Sequence, residues 1–372
     1  VYKTENKTNV KGFIDSEMTE KEIMLFKALC DCKSDSFDDS LLAYCTPEVL
    51  GQLFYNRMAG IACETLRRHG LLSEPDREFR NSLKCAFEQS RRMTDDFLKC
   101  VEYVSYILSG TGAKAALLKG AVLCAVYPRG CRTSNDIDIL VSPENIGVIS
   151  DLLTANGFRQ GNIRGGEFVA ATRREIIESR MLRGETVPFI KKIGFPYMEY
   201  LELDINYSLD YKNGDGKVLS EMLAKSGERS FGELWIPTLE KNDFIIHLCC
   251  HLHKEATTYP WVKMHRDMSL YKYADIYTCC SGMSDSDARK LFERAYELGA
   301  EKQCAFAVLQ TDELFGISSK ELTALAVRAL EDDSVALHRV ISPADGRVFE
   351  YSTHDITKRL FMKNRARDLK EV

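Results

Sequence analysis

The chain has 372 residues, in which 50 Lys and Arg oppose 55 Asp and Glu to give a net charge of −5. At about 150 residues per domain, this length suggests two or three domains and a well-buried core. The near balance of charge excludes a surface that is basic throughout, so we expect no stable partner among long nucleic acids.

Cysteine usage and hydropathy indicate the compartment. The 13 cysteines are odd in number and include adjacent pairs at Cys249 and Cys250 and at Cys279 and Cys280, which do not suit a disulfide framework. Residues 1–9 lack the apolar segment of a signal peptide, and no run approaches the ~18 apolar residues of a membrane span. We therefore expect a soluble, cytoplasmic protein with reduced thiols and no membrane partner.

The N-terminal region, residues 1–110, is predicted to be helical because apolar residues recur at helical spacing. Thr46 can cap a helix whose first residue is Pro47. A long helix over residues 73–109 is predicted to end at the Gly110-Thr111-Gly112 break.

Beyond that break, residues 111–238 alternate short strands with helices, which indicates a mixed α/β domain. The predicted strands cover 115–118, 137–141 and 197–207, and the predicted helices cover 120–127 and 145–156. Residues 239–372 return to a helical pattern, with helices predicted at 241–254, 262–280, 285–298 and 301–315. The expected fold class is α+β, with a mixed sheet flanked by N- and C-terminal helical regions and the active site in the cleft between them.

Two carboxylates begin the strand at 137–141. Asp136 and Asp138 are two residues apart, so their side chains project to one face at about 6–7 Å spacing along the chain. Such a pair can share two Mg²⁺ ions, which lie about 3.5–4 Å apart in two-metal phosphoryl transfer. A neighbouring alternating strand offers a third carboxylate; we favour Asp204, with Glu202 as the alternate.

A strand also turns into a helix at Leu118-Lys119-Gly120-Ala121, upstream of the carboxylates. Free backbone N–H groups and the positive end of a helix suit phosphate at such a junction. Gly120 permits close backbone approach, and Lys119 can pair with a phosphate oxygen. Arg132 can do the same or can brace the loop.

Several short motifs occur in order in the central region: Leu118-Lys119-Gly120-Ala121, Tyr127-Pro128, Arg132, residues 136–141 and Gly157-Phe158. Together they resemble the nucleotidyltransferase superfamily typified by DNA polymerase β. Within it the chain is most similar to a group of uncharacterised bacterial nucleotidyltransferases, which have an acidic strand like the one containing Asp204. That group also has a helical region similar to the segment from His247 to His251 with Asp275 downstream.

The resemblance implies a palm-like mixed sheet, an NTP donor with ATP expected, and two Mg²⁺ ions. The catalytic and metal-binding residues would be Asp136, Asp138 and Asp204, and the nucleotide-binding residues would be Lys119, Gly120, Ala121, Arg132 and Asn135. Many members of the superfamily have Gly-Ser or Gly-Gly where this chain has Gly120-Ala121, so one hydroxyl contact to phosphate is missing. The acceptor is not implied; a small molecule is favoured over protein or RNA.

Two other functions stay open. A metal-dependent glycosyltransferase uses Asp-x-Asp to hold the diphosphate of a nucleotide-sugar, but it leaves the Lys119-Gly120 turn without a role. A catalytically silent regulatory module would bind nucleotide without releasing pyrophosphate.

Other groups of residues have structural interpretations that we favour. His247, His251 and His253 suggest zinc by their spacing, but no further ligand motif accompanies them, so we expect them to line the contact with the catalytic domain. The tyrosines Tyr271, Tyr273 and Tyr277 are expected to pack. A basic stretch is expected to be a solvated helix or loop, although it can also dock triphosphate or RNA; it contains Arg159, Arg164, Arg173, Arg174, Arg180, Arg183, Lys191 and Lys192.

Overall fold

A computed structural model describes residues 18–182, 184–209, 216–317, 319–333 and 335–372. The chain divides into two compact units, of which the first ends at Ala86 and the second begins at Phe87. The predicted division into regions 1–110, 111–238 and 239–372 is not tested by this grouping and stays a prediction.

The first unit is helical where it is described. Its helices are α1 (Glu20–Cys30), α2 (Pro47–Tyr55), α3 (Ala59–Arg68) and the beginning of α4 (Arg77–Ser109). The predicted cap at Thr46 is confirmed, because its side chain accepts a hydrogen bond from the Val49 amide and Pro47 opens the helix. Thr46 also donates to the carboxylate of Glu22 at 2.6 Å, which ties the first turns of α1 and α2 together.

The second unit is built on a mixed eight-stranded sheet in the order β4-β3-β5-β6-β2-β1-β8-β7. The pairs β2·β6 and β1·β8 are parallel and the others are antiparallel. The strands are β1 (Ala115–Leu117), β2 (Asp136–Val141), β3 (Arg159–Arg164), β4 (Glu167–Ala170), β5 (Phe189–Phe195), β6 (Met198–Asn206), β7 (Gly227–Phe231) and β8 (Leu234–Thr238).

Many helices accompany this mixed sheet, which confirms the predicted α+β class. The helix α13 packs against α9, α11 and α14. The helices are α5 (Gly120–Val126), α6 (Ile146–Ala155), α7 (Arg173–Leu182), α8 (Gly216–Ala224), α9 (Lys241–Ala256), α10 (Tyr259–Lys263), α11 (Leu270–Cys280), α12 (Asp285–Glu297), α13 (Glu301–Phe315), α14 (Lys320–Ala329) and α15 (Ile356–Phe361). None of the helices in the described part of the chain combines the length and the apolar character needed to cross a membrane.

Three local predictions differ from the structure. The helix predicted at 262–280 is two helices, because α10 ends at Lys263 and α11 begins at Leu270. His265 takes a left-handed φ of 56°, and the Arg266 amide donates to the Trp261 carbonyl, the pattern that closes a helix C-terminus. The apolar periodicity runs through this stretch, but the backbone hydrogen bonds end there.

The basic stretch is also not a helix or loop alone, since it contains β3, β4, α7 and part of β5. The C-terminal region predicted as helical contains a second sheet, ordered β11-β10-β9. Its strands are β9 (Arg339–Ile341), β10 (Val348–Tyr351) and β11 (Leu369–Glu371). Strands this short carry too few residues for a period of two to be recognised.

A buried ion pair holds this small sheet to the helices. Asp267, in the loop before α11, accepts from the Arg365 guanidinium through both carboxylate oxygens at 2.8 Å. Both residues are only 1% exposed, and the Tyr351 hydroxyl of β10 also donates to Asp267. The pair therefore connects the break between α10 and α11 to the C-terminal strands.

We expect Arg365→Met to lower the free energy of unfolding by about 3–5 kcal/mol, because it leaves the Asp267 carboxylate buried without its counterion. The exposed pair Arg289–Glu321 provides the control, and Arg289→Met should change stability by no more than about 1 kcal/mol. Urea unfolding followed by circular dichroism measures both variants. Equal losses in the two would contradict the assigned role of the buried pair.

Candidate active site

Four acidic residues face the same side of two adjacent strands. The parallel register of β2 and β6 sets Asp136 beside Glu202 and Asp138 beside Asp204. Side chains alternate along a strand, so all four project to one face of the sheet, which we call the acidic face. Ile137 and Leu203, which lie between them, and Ile205, which follows Asp204, are fully buried and project to the opposite face. The predicted catalytic carboxylates are thus brought together by the pairing of β2 with β6.

Asp138 is the most enclosed of these acids, with 6% exposure. Its Oδ1 atom accepts from Lys119 Nζ at 2.7 Å and from Asn206 Nδ2 at 3.1 Å. Burial by itself would raise the pKa of Asp138, but the ammonium of Lys119 and the hydrogen bonds to this oxygen outweigh it and hold the pKa below its usual value. Asp138 is therefore ionised and paired.

At Asp204 and Glu202, burial and the neighbouring carboxylates prevail. Burial, followed by the charges of Asp138 and Asp136, raises the pKa of Asp204 well above its usual value. Burial and then the charge of Asp136 also raise the pKa of Glu202. The carboxylates on this face repel one another, and a bound cation would lower that repulsion.

Lys119 reaches Asp138 from a strained turn. Its backbone has φ 44° and ψ −115°, a left-handed conformation that is unfavourable for a residue with a side chain. The turn is anchored on β2, because the Leu118 amide donates to the Asp138 carbonyl at 3.0 Å. The Ala121 amide donates to the Leu118 carbonyl at 3.1 Å, so this predicted phosphate donor is already used within the turn.

Gly120 lets another side chain approach the turn. A Cβ atom on Gly120 would lie 2.3 Å from the Ser134 Oγ and 2.5 Å from the Ser134 Cβ. The same hydroxyl donates to Asp136 Oδ1 at 2.9 Å. Gly120 therefore makes room for the serine that orients the first carboxylate, in addition to any role it has toward phosphate.

Two predicted nucleotide-binding residues lie apart from this cluster of contacts. The Arg132 guanidinium donates to both carboxylate oxygens of Asp275 on α11, with Nε to Oδ1 at 3.0 Å and Nη2 to Oδ2 at 3.0 Å. It also lies over the Tyr271 ring, 4.6 Å from its centre. Asn135 is exposed beside Asp136. Arg132 thus braces its loop in this structure, which was one of its two predicted roles.

The helix α9 brings histidines to the Lys119 side of the site. Burial, followed by the charge of Lys119, lowers the pKa of His247 to about 3. The same two causes, in the same order, lower the pKa of His251 well below its usual value. His253 instead lies edge-on to Phe306 at 5.1 Å. The imidazoles of His247 and His251 are therefore neutral at physiological pH.

No ready-made metal site is assembled here: among the residues the structure describes, no three His, Cys, Asp or Glu side chains converge closely enough to hold an ion. The donor set nevertheless fits Mg²⁺, which prefers carboxylate oxygens. The unbalanced charge behind the raised pKa of Asp204 also favours a cation. The Lys119 ammonium occupies one oxygen of Asp138, so it stands where a cation could be bound.

Three residues of the basic stretch pair with acidic neighbours. Arg164 pairs with Glu175, Arg174 with Glu178 and Lys192 with Glu199. The Lys191 ammonium donates to the Tyr103 hydroxyl at 2.8 Å, and Arg159 lies over the Phe168 ring. Arg183 lies outside the described residues. The three carboxylate pairs reduce the positive charge that the described part of the stretch offers to a polyanion.

The tyrosines of α11 make packing contacts, as predicted. Tyr273 is fully buried and donates to Gln310 Oε1 at 3.0 Å, while Tyr277 stacks on Phe315.

Two residues of the site were not predicted from the sequence. They are Ser134 and Asn206, whose side chains donate to Asp136 and Asp138. Asn206 continues the alternation of Glu202 and Asp204 along β6, and this pattern could have identified it.

We expect Gly120→Ala to lower the free energy of unfolding by about 1–3 kcal/mol, because the added methyl group displaces Ser134. Adding Ser134→Gly removes both clashing atoms and should restore most of the loss. Gly147→Ala in α6 is the control, since its Cβ would meet nothing within 4 Å. Thermal unfolding of the three variants decides between them, and a double variant no more stable than Gly120→Ala would refute the packing explanation.

No curated protein matches the chain. Among solved structures it is similar to an antigenic nucleotidyltransferase-like protein from Paracoccidioides brasiliensis, with 11% identity over 65% of this chain and 92% of that chain and a TM-score of 0.34. The sequence model of a family described as uncharacterised nucleotidyltransferase matches residues 46–316, a range that contains both acidic strands and the Lys119 turn. On that match, which covers well over half of its length, the chain belongs to this nucleotidyltransferase family.

Proposed function

We propose that the protein transfers a nucleoside monophosphate from an NTP, with ATP as the favoured donor, to a hydroxyl acceptor and releases pyrophosphate. The observation that carries the proposal is the register of β2 with β6, which sets Asp138 beside Asp204 on the acidic face next to Lys119. Membership of the nucleotidyltransferase family supports the reaction class.

In this reaction the acceptor hydroxyl releases its proton to water as its oxygen forms a bond to the α-phosphorus of the NTP. The bond from that phosphorus to the β-bridging oxygen breaks, and pyrophosphate leaves with the electron pair. Asp136, Asp138 and Asp204 would hold two Mg²⁺ ions, with Glu202 as the alternate third ligand. When bound, the ions would lower the pKa of the acceptor hydroxyl and neutralise the triphosphate.

The protein's own groups prepare these ligands. Ser134 orients Asp136, and Asn206 orients Asp138 through the hydrogen bonds they donate. In the absence of a cation, the Lys119 ammonium pairs with Asp138. When NTP binds, the ammonium would instead pair with a phosphate oxygen. Gly120 and Ala121 follow Lys119 in the same turn, and Asn135 is exposed beside Asp136; all three are proposed to contact the nucleotide.

The acceptor is proposed to be a small molecule. A polyanionic acceptor such as RNA needs several free cationic side chains, since phosphate contacts supply most of the affinity. In the described part of the basic stretch, Arg164, Arg174 and Lys192 already have carboxylate partners. This neutralisation supports a small acceptor over RNA.

We expect each of the four NTPs with Mg²⁺ to be distinguishable in a thermal-shift screen, with ATP giving the largest rise in Tm by mass action.

Asp136→Asn and Asp138→Asn should reduce pyrophosphate release by about 10²–10³-fold or more. The exposed residue Asp151 supplies the control variant Asp151→Asn, which should retain full release.

Other outcomes of this screen are informative. Stabilisation by a nucleotide-sugar with Mn²⁺, and not by NTPs with Mg²⁺, would assign the site to glycosyl transfer. Nucleotide binding without pyrophosphate release across a broad acceptor panel would indicate a silent regulatory module. Retained release in Asp136→Asn or Asp138→Asn would exclude the proposed site.

Lys119→Met should change cation and nucleotide binding in opposite directions. Removing the ammonium from Asp138 should strengthen Mg²⁺ or Mn²⁺ binding without nucleotide by about tenfold, because a competing charge is gone. ATP binding in the presence of the ion should weaken by about 10–100-fold, since a charge-assisted hydrogen bond to phosphate is lost. Isothermal titration calorimetry measures both affinities.

The control for this variant is Lys192→Met, which removes an exposed lysine paired with Glu199 and should leave both affinities unchanged. Weaker cation binding in Lys119→Met would show that Lys119 does not compete for Asp138. An unchanged ATP affinity would show that it does not contact phosphate.

A further inference from the structure

A short loop carries the chain from α5 to the acidic strand β2, and Arg132 is its central residue. The Arg132 carbonyl accepts from the Thr94 hydroxyl of α4 at 2.9 Å. Its guanidinium donates through Nε and Nη2 to Asp275 on α11, and through Nη1 to the neighbouring Thr133 carbonyl. The loop is therefore held from two helices just before Asp136.

The Arg132–Asp275 pair is enclosed. The side chains are 9% and 5% exposed, and the guanidinium stacks on Tyr271. Burial raises the pKa of Asp275, and Arg132 is the strongest of the groups that oppose this shift. A paired geometry with two parallel hydrogen bonds fixes direction as well as distance.

The helix α11 also contacts the loop at the end that follows α5. Tyr127, which ends α5, is 4% exposed, and its side chain hydrogen-bonds to Asp275. Its hydroxyl also accepts from the Thr278 hydroxyl at 2.9 Å. Asp275 thus contacts Tyr127 and Arg132, the residues between which the loop turns toward β2.

We propose that Arg132 and Asp275 are positioning residues. Through this pair, α11 would fix the positions of Asp136 and Asp138 on the acidic face. The proposal rests on the function proposed above and extends it to a helix that lies far along the chain. A phosphate could take the paired Nε and Nη2 donors of Arg132 only by displacing Asp275, which would leave that carboxylate buried without its counterion.

The test compares Asp275→Asn, Arg132→Met and the double variant. As positioning residues, each single variant should lower kcat by about 10–100-fold, since displacement by about 1 Å has effects of this size. The KM for NTP should stay within about threefold, and the double variant should be no worse than the poorer single variant because the two act as one unit. A rise in KM for NTP in Arg132→Met that is absent in Asp275→Asn would instead make Arg132 a phosphate ligand and overturn the proposal.

The Asp267–Arg365 pair offers a matched control, because it is also a buried, doubly hydrogen-bonded Asp–Arg pair in the same unit. Asp267→Asn should lower Tm as much as Asp275→Asn does and leave the kcat of the folded protein unchanged. An equal fall of kcat in both variants would show that loss of stability, and not positioning, explains the result.

Hydrogen–deuterium exchange provides a readout that does not depend on turnover. In Arg132→Lys, which keeps the charge and loses the paired geometry, amides of residues 128–138 should exchange at least several-fold faster, while those of residues 339–351 stay unchanged. Asp267→Asn should show the reverse pattern. Unchanged exchange at 128–138 would refute the proposal even if the fold is kept, whereas a wild-type protein without transfer activity would refute only the proposed function.

Discussion

The pairing of β2 with β6 is the constraint on which the site depends. It brings Asp136, Asp138, Glu202 and Asp204 to one face of the sheet, where like charges repel and burial weakens their hydration. Within this group the Lys119 ammonium is bonded to Asp138 alone. Such a concentration of carboxylates at one face destabilises the folded chain. It is typical of a site that binds cations.

Local devices hold these carboxylates in place. Ser134 and Asn206 each donate to one aspartate, and Gly120 leaves the space that Ser134 needs. The left-handed backbone of Lys119 is the strained element among them, and strain of this kind persists only where the surroundings enforce it. Here the anchoring bond from the Leu118 amide to the Asp138 carbonyl joins the turn to the strand it serves.

The helices that follow the sheet contribute to the same site. The helix α9 brings neutral, buried His247 near Lys119, and α11 brings Asp275 to the loop that precedes Asp136. In the positioning role that we propose, a change at α11 would reach the acidic face through the Arg132–Asp275 pair. Family membership supports the nucleotidyl transfer that we propose for this arrangement.

The sequence by itself determined what depends on neighbouring residues: the α+β class, the approximate bounds of β1, β2 and β6, the cap at Thr46, and the projection of Asp136 and Asp138 to one side. Alternation and helical periodicity suffice for these, because they arise within a few residues. Only the tertiary structure decided that Arg132 pairs with Asp275, 143 residues away, and that Asn206 reaches Asp138 across 68 residues. It also decided the break at His265 and the C-terminal sheet. These features depend on which segments meet in space, and no local pattern encodes a hydrogen bond whose partner lies in another element.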